Sequence, residues 1–421
     1  MSHDTLPGLL QHQAAQRGAD VAIRHKQLGI WHVLRWQEVW REVQHLAAVL
    51  QARGFQKGDA LFLLSHPRPQ ALLLQLAAQW LGGVAAPVDL LAARDDTLRV
   101  LQGLRPTWVF AEGEDEIALL AEAGAVPRLL IYADQRGVVA NHSSAHLAYA
   151  EALALAAETV QAAPQQQAPL VAAVDHAFAF YRLEAQQADQ APQLQLQTIS
   201  HHELLNEGRR LLRQENLKPQ DEALAARAFA ASGHARYLLA PWLLAGFRLN
   251  FPENLATRDN DRRELGPTLV AGTRETYQRL ESLVQQRLPQ AGSWRRRLVD
   301  WALRTSSATR KPLVVSLRPV AKPPRFSLQL LLAQWLVINP LRDVIGFSRT
   351  RVPLLVGEPL PESSLRFFHS LGIEVRNWEE QAYWYVLEGG KARVVKRGHA
   401  SLTLPTPAVA AASVSTVGSP S

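Results

Sequence analysis

The chain contains no cysteine. Disulfides, zinc–thiolate sites, iron–sulfur clusters and cysteine nucleophiles are therefore excluded, and a reducing, cytoplasmic setting is the expectation. Lysine is scarce as well: seven of the 45 basic residues are lysines. The positive charge is thus carried by arginine, which stays charged at any physiological pH and suits anion contacts. Long apolar runs are missing. The nearest approach, residues 330–341, is twelve residues long and includes Gln334, Asn339 and Pro340, against the about 20 residues that a membrane-spanning helix needs. The first ten residues, MSHDTLPGLL, lack the basic head and apolar run of a secretory leader. A soluble protein, at most peripheral to a membrane, is expected. Four common catalytic signatures are absent too: G-x-S-x-G, G-x-x-x-x-G-K-[ST], H-E-x-x-H and G-x-G-x-x-G. One further absence is local, since there is no glycine between Val138 and Glu207 and no lysine between Lys57 and Lys218.

What is present suffices for a folded protein. With 421 residues, 47% apolar and 20% charged, the chain can bury a large core. At about 150 residues per domain it allows two or three packing units. The net charge of +7 is partly concentrated in Arg295, Arg296 and Arg297 and in residues 391–399 (KARVVKRGH). Such clusters suit anionic lipid or nucleic acid. No recognition motif accompanies them, and the tryptophans fall at apolar helical spacings, so nucleic acid is not the expected partner.

The first segment alternates helical and strand patterns, the rhythm of an α/β protein with a doubly wound sheet. Residues 36–51 (WQEVWREVQHLAAVLQ) place Val39, Val43, Leu46, Val49 and Leu50 on one helical face, and Gly54 signals the helix end. Residues 60–64, 84–88, 107–111 and 129–132 read as buried strands, with helices over 70–81 and 116–123. From 162 to 197 the composition turns to glutamine, alanine and proline around a strand at 177–181. The second of these runs, EAQQADQAPQLQLQ, reads as an exposed, flexible connector. Ser200 and Glu203 then form a capping box that opens a helix through Leu212. This places His201 and His202 in a first helical turn rather than around a metal. Residues 293–303 form a helix with Trp294, Leu298, Trp301 and Ala302 inward. The acidic residues 112–116 (EGEDE) read as a surface loop, and His142 and His146, without a third ligand, as surface residues. The tail from Ser401 is expected to be disordered.

Several segments, taken in order, resemble the long-chain fatty acyl-CoA synthetases of the adenylate-forming (AMP-binding) superfamily. They are LGIW at 28–31 with Trp36, GFQKGD at 54–59, Arg68–Pro69, Leu81–Gly82–Gly83, LNFPE at 249–253, GPT at 266–268, PLRD at 340–343, and GEPLPESSLRFF at 357–368 before Leu371–Gly372–Ile373. The resemblance implies an α/β fold, the large N-terminal domain of these enzymes, with layered, mostly parallel sheets and flanking helices. It implies a chemistry in which ATP converts a fatty acid to an acyl-adenylate, and the acyl group then passes to coenzyme A. Expected regions are a first α/β subdomain (1–160), the Gln/Ala/Pro-rich region with a strand and a degenerate phosphate loop (161–197), a second α/β subdomain (198–399) and the tail (400–421).

The chemical parts that the resemblance calls for are missing. The family's phosphate loop resembles Y-T-S-G-T-T-G-x-P-K; the matching interval here, residues 182–200, is RLEAQQADQAPQLQLQTIS, without glycine or lysine. Glycine lets a backbone approach phosphate at φ > 0, which glutamine and alanine do only with strain. Arg182 offers charge but no cradle of N–H groups. At the positions of the Y-G-x-T-E nucleotide and metal motif stand Glu379, Glu380, Gln381, Ala382 and Tyr383; a shifted register would put Glu379 or Glu380 at the metal. The small C-terminal lid domain is expected to be absent. What remains is a vestigial adenine wall at Gly357, Glu358 and Pro359, with a plain strand-to-helix turn as the alternative. His234, Trp242 and Arg274 fall in segments that border the acyl and nucleotide pockets of relatives.

No catalytic or metal-ligating residue is therefore assigned. The leading expectation is a silent member of the family that binds a fatty acyl chain or acyl-CoA, or pairs with an intact synthetase. The alternatives are an active ligase with an atypical site or a partner-supplied lid, in which case ATP/AMP, Mg²⁺ and CoA are its cofactors, and a basic peripheral protein on anionic lipid or RNA.

Overall fold

In a computed structural model, residues 4–138, 145–162, 170–184, 192–225, 232–308, 328–378, 384–388 and 391–395 are described. They divide into two packed units. One comprises 1–220, 225–251 and 381–421; the other comprises 221–224 and 252–380.

The short apolar segments of the N-terminal half become the centre of a sheet with nine described strands. Strand Ala60–Leu64 lies between Val84–Pro87 and Trp108–Ala111, followed by Leu129–Tyr132 and His146–Ala148, all parallel. Apart from His146, these strands are apolar along their length because both faces are covered, as parallel sheets require. Helix Trp36–Ala52 buries Trp36, Val39, Val43, Leu46 and Leu50 at the spacing that makes one face. Helix Pro69–Trp80 is buried at every position except Gln70, so it is apolar almost all round. Its Gln79 donates from Nε2 to the Ala177 carbonyl at 2.8 Å, fixing the helix to the neighbouring strand.

On the other side, His176–Glu184 joins Val84–Pro87 in parallel and then pairs antiparallel with Gln193–Ser200. This corrects the expectation of a flexible connector over residues 184–197. From Gln193 on, the segment is a strand with partners on both edges, because Trp384–Glu388 pairs with its far side. Gln195, Leu196 and Gln197 are buried as a result. Glutamine runs suggest solvent, but the leucine, threonine and isoleucine between them carry the pattern of a strand. Residues 185–191 lie outside the described residues, as do 379–383 and the tail from 396. Separately in this unit, Val21–Gln27 pairs parallel with Arg248–Phe251 and antiparallel with Ile30–Arg35.

The second unit is built on parallel strands Leu269–Gly272, Val352–Val356 and Arg376–Trp378, with Glu222–Leu224 beside the first. Its core gathers Tyr277, Leu280, Val284, Phe347, Leu355 and Phe368. Helix Trp294–Ala308 turns Val299 and Ala302 inward. Trp294 is 70% exposed, a correction to its expected burial: the helix begins there, and a helical side chain leans back toward the N-terminus, where no preceding turn lies for it to pack on.

Two helical stretches contain a π turn, Ala235–Leu239 and Gln334–Ile338. Each lies one residue ahead of a proline, Pro241 or Pro340. Proline has no N–H and its ring collides with the carbonyl four residues back, so a wider turn ahead of it relieves the clash. The acidic run also departs from a plain loop: Glu114–Glu122 is a helix whose first turn holds Glu114, Asp115 and Glu116, the favoured end for negative charge.

Gly83 has no room for a side chain. A Cβ there would run into the Phe55 ring and stand 2.9 Å from the Asp59 carbonyl oxygen. Gly83→Ala is expected to lower stability by about 1–3 kcal/mol, the usual range for overpacking, as read by denaturant unfolding.

Candidate functional site

Ligands of open parallel sheets bind at the carboxyl ends of the strands, and the retained motif lies there. Gly272 pairs with Leu355, and Val356 with Trp378, so three strands of the second unit end side by side. The first leads through Thr273 into helix Arg274–Gln286. The second turns at Gly357, Glu358 and Pro359 before helix Glu362–Ser370. Gly357 has φ +91°, a conformation that favours glycine, and a Cβ there would meet nothing within 4 Å. The turn is therefore open on the side where a flat ring could lie.

Arg274 reaches this turn. Its Nη1 stands 3.3 Å from Glu358 Oε2, tying two strand ends together. Glu358 is 78% exposed, and such exposed pairs contribute about 0–1 kcal/mol, so both charges can be drawn to a ligand. Of the three residues expected to border pockets, Arg274 lies at this turn. Trp242 and His234 belong to the other unit. Trp242 is fully buried, stacks on Trp36 with ring centres 4.8 Å apart, and donates from Nε1 to the Ala22 carbonyl at 3.2 Å. It is a core residue. His234 closes the short buried turn Ser232–His234.

The interval where phosphate contacts were sought is a strand pair. Arg182, its one cationic residue, is engaged from three sides. Its guanidinium donates to Gln195 Oε1 at 3.0 and 3.1 Å, forms an ion pair with Glu184, and lies 4.0 Å above the Trp384 ring. Trp384 escaped the sequence reading. Its signal is the short apolar run Trp384–Tyr385–Val386–Leu387, which reads as a strand once a pairing partner is known. Among the described residues of this interval, 182–184 and 192–200, the side chains therefore do not fit a triphosphate. Among the described residues, no three His, Asp or Glu side chains group around a possible cation; Glu379 and Glu380 lie outside that description.

The histidine pair divides. His202 faces solvent beside Asn206, whose Nδ2 is 3.0 Å from its ring. His201 is fully buried at the first position of helix His201–Glu215, and its Nδ1 accepts the Leu6 N–H at 3.2 Å. One ion cannot be shared by rings on different sides of the helix. His146 begins a strand, and His142 is outside the described residues.

The family model for AMP-binding enzymes matches residues 10–181, ending one residue before Arg182. No characterised protein matches the chain in sequence. Among solved structures, VinN in complex with L-aspartate is similar at 13% identity and TM-score 0.57, over 89% of this chain and 74% of that one. A benzoate CoA ligase from Burkholderia xenovorans LB400 has 16% identity and TM-score 0.58, over 89% and 60%. The A-PCP didomain of carboxylic acid reductase from Segniliparus rugosus, in complex with AMP, has 14% identity and TM-score 0.64, over 90% and 52%. The fold is that of the N-terminal domain of adenylate-forming enzymes, with mostly parallel sheets and flanking helices. No described helix is long and apolar enough to cross a membrane.

Burial lowers the His201 pKa from 6.5 to about 3, so the ring is neutral in the folded protein. The unfolded chain takes up a proton near pH 6.5 and the folded one does not. Stability is therefore expected to fall as pH drops from about 6.5 toward 3, by up to about 1.4 kcal/mol per pH unit from this group, with no contribution above that window. His201→Asn keeps an acceptor for the Leu6 N–H and removes the titration. Denaturant melts across pH should show a shallower acid loss in this variant.

Proposed function

We propose that this chain is a non-catalytic relative of the long-chain acyl-CoA synthetases, acting by binding an acyl chain or acyl-CoA or by pairing with an intact synthetase. The observation that carries the reading is the fate of residues 182–200. Where the chemistry needs preorganised backbone donors and a free cation, the sequence has no glycine or lysine, strands His176–Glu184 and Gln193–Ser200 pair with each other, and the arginine is held by Glu184, Gln195 and Trp384. A single missing oxyanion donor costs about 2.7–4 kcal/mol of transition-state stabilisation, and this interval lacks both the glycines that would turn several donors outward and the lysine.

The Gly357 turn supports retained affinity for a flat base. Its open face and the Arg274–Glu358 pair suit a nucleotide monophosphate better than a triphosphate. The match over residues 10–181 and the likeness of the fold support a relation to adenylate-forming proteins; the fatty acyl ligand and the absence of turnover are the proposal's own content.

ATP–pyrophosphate exchange with palmitate tests it. Exchange at the level of a protein-free control is expected, together with acyl-CoA binding in calorimetry. Exchange that rises with protein and needs palmitate would overturn the reading.

A further inference from the structure

Among the described residues, the second unit presents an apolar face that its packing leaves uncovered. Helix Leu328–Ala333, the π turn Gln334–Ile338 and helix Asn339–Val344 form one continuous helical segment. One side packs onto helix Trp294–Ala308 through Ala333 and Val337 against Val299 and Ala302. The other side carries Leu328, Leu331, Leu332, Trp335 and Leu336, which are 43–73% exposed. No residue from 328 to 341 is charged. A water-facing helix normally has a polar outer side, so a helix apolar on both sides needs a second apolar medium.

The charge around this face identifies that medium. On the partner helix Trp294, Arg295, Arg297 and Arg304 are exposed. The nearby acidic side chains are already paired, Asp300 with Arg296 and Asp343 with Arg263, both at 3.0 Å. The sequence joining the two helices, residues 309–327, has five basic residues and no acidic one. Leucines and tryptophans flanked by arginines match the two layers of an anionic membrane surface. The apolar side chains enter the acyl boundary, the indole rings sit at the headgroups, and the guanidinium groups meet lipid phosphate. An RNA would use the arginines but leave the leucines in water.

We propose that this face docks the protein on anionic lipid bilayers, the segment lying in the interface rather than spanning it. The assignment is independent of whether the chain turns over substrate.

The test is sedimentation of the full chain with phosphatidylcholine vesicles, with and without phosphatidylglycerol. The wild type should sediment with the mixed vesicles, lose affinity as salt rises, and bind pure phosphatidylcholine weakly. Leu331→Ser with Trp335→Ser should weaken binding at least about tenfold while leaving the circular dichroism unchanged, since both residues are exposed. Arg295→Gln with Arg297→Gln should remove the preference for phosphatidylglycerol. The proposal is overturned if the wild type stays in the supernatant, or if the serine variant binds vesicles as the wild type does. It is also overturned if the serine changes convert a dimer to a monomer without any vesicle binding. Binding that appears only after deletion of residues 309–327 would overturn it as well, by showing that the chain covers its own face.

Discussion

A backbone N–H committed to a sheet ladder is not available to a ligand, and in the described part of residues 176–200 the ladder takes these groups. Strand Gln193–Ser200 pairs with His176–Glu184 on one side and with Trp384–Glu388 on the other. Its donors are committed to the sheet, and its side chains follow: Gln195 accepts from Arg182, and Trp384 lies beneath the same guanidinium. A phosphate cradle needs the reverse, donors turned out of the sheet by residues at positive φ. The described part of this segment makes itself a stable sheet element, and its one cation, Arg182, is held by Glu184, Gln195 and Trp384.

The framework around it needs none of that chemistry. Five parallel strands, a helix buried nearly all round and a one-sided helix beneath it are held by apolar burial, the dominant favourable term in folding. In the second unit the three strand ends still form an edge with an open glycine turn and an exposed ion pair. A fold of this kind can lose catalytic groups without losing its core, because the two are built from different residues. The carboxyl edge of a sheet is held by ladders and packing, whereas its ligands are contacted by turns.

Much of the fold was legible along the chain, and the reason is periodicity. Residues 60–64 and 129–132 appear as strands within the bounds read from their apolar runs, and Ser200 caps its helix through Glu203 as the pattern predicted. What failed was non-local. Gln193–Ser200 looks polar until its two strand partners are known. Trp294 shares the helical spacing of Leu298 and Trp301, and only the packing around the first turn shows that it is exposed. The locking of Arg182 by Trp384 joins residues about 200 positions apart, and no local pattern can announce it. At the candidate site, Gly357 and Glu358 were legible from motif order, while the contact of Arg274 with Glu358 required the parallel register of the two strands.

The most direct measurement of the central claim is hydrogen–deuterium exchange over residues 176–200, with and without MgATP. Amides of both strands are expected to be protected in the free protein, and MgATP should leave their exchange rates unchanged. Fast exchange across Gln193–Ser200 in the free protein, slowed on adding MgATP, would contradict the account and show a nucleotide loop in place of a hairpin.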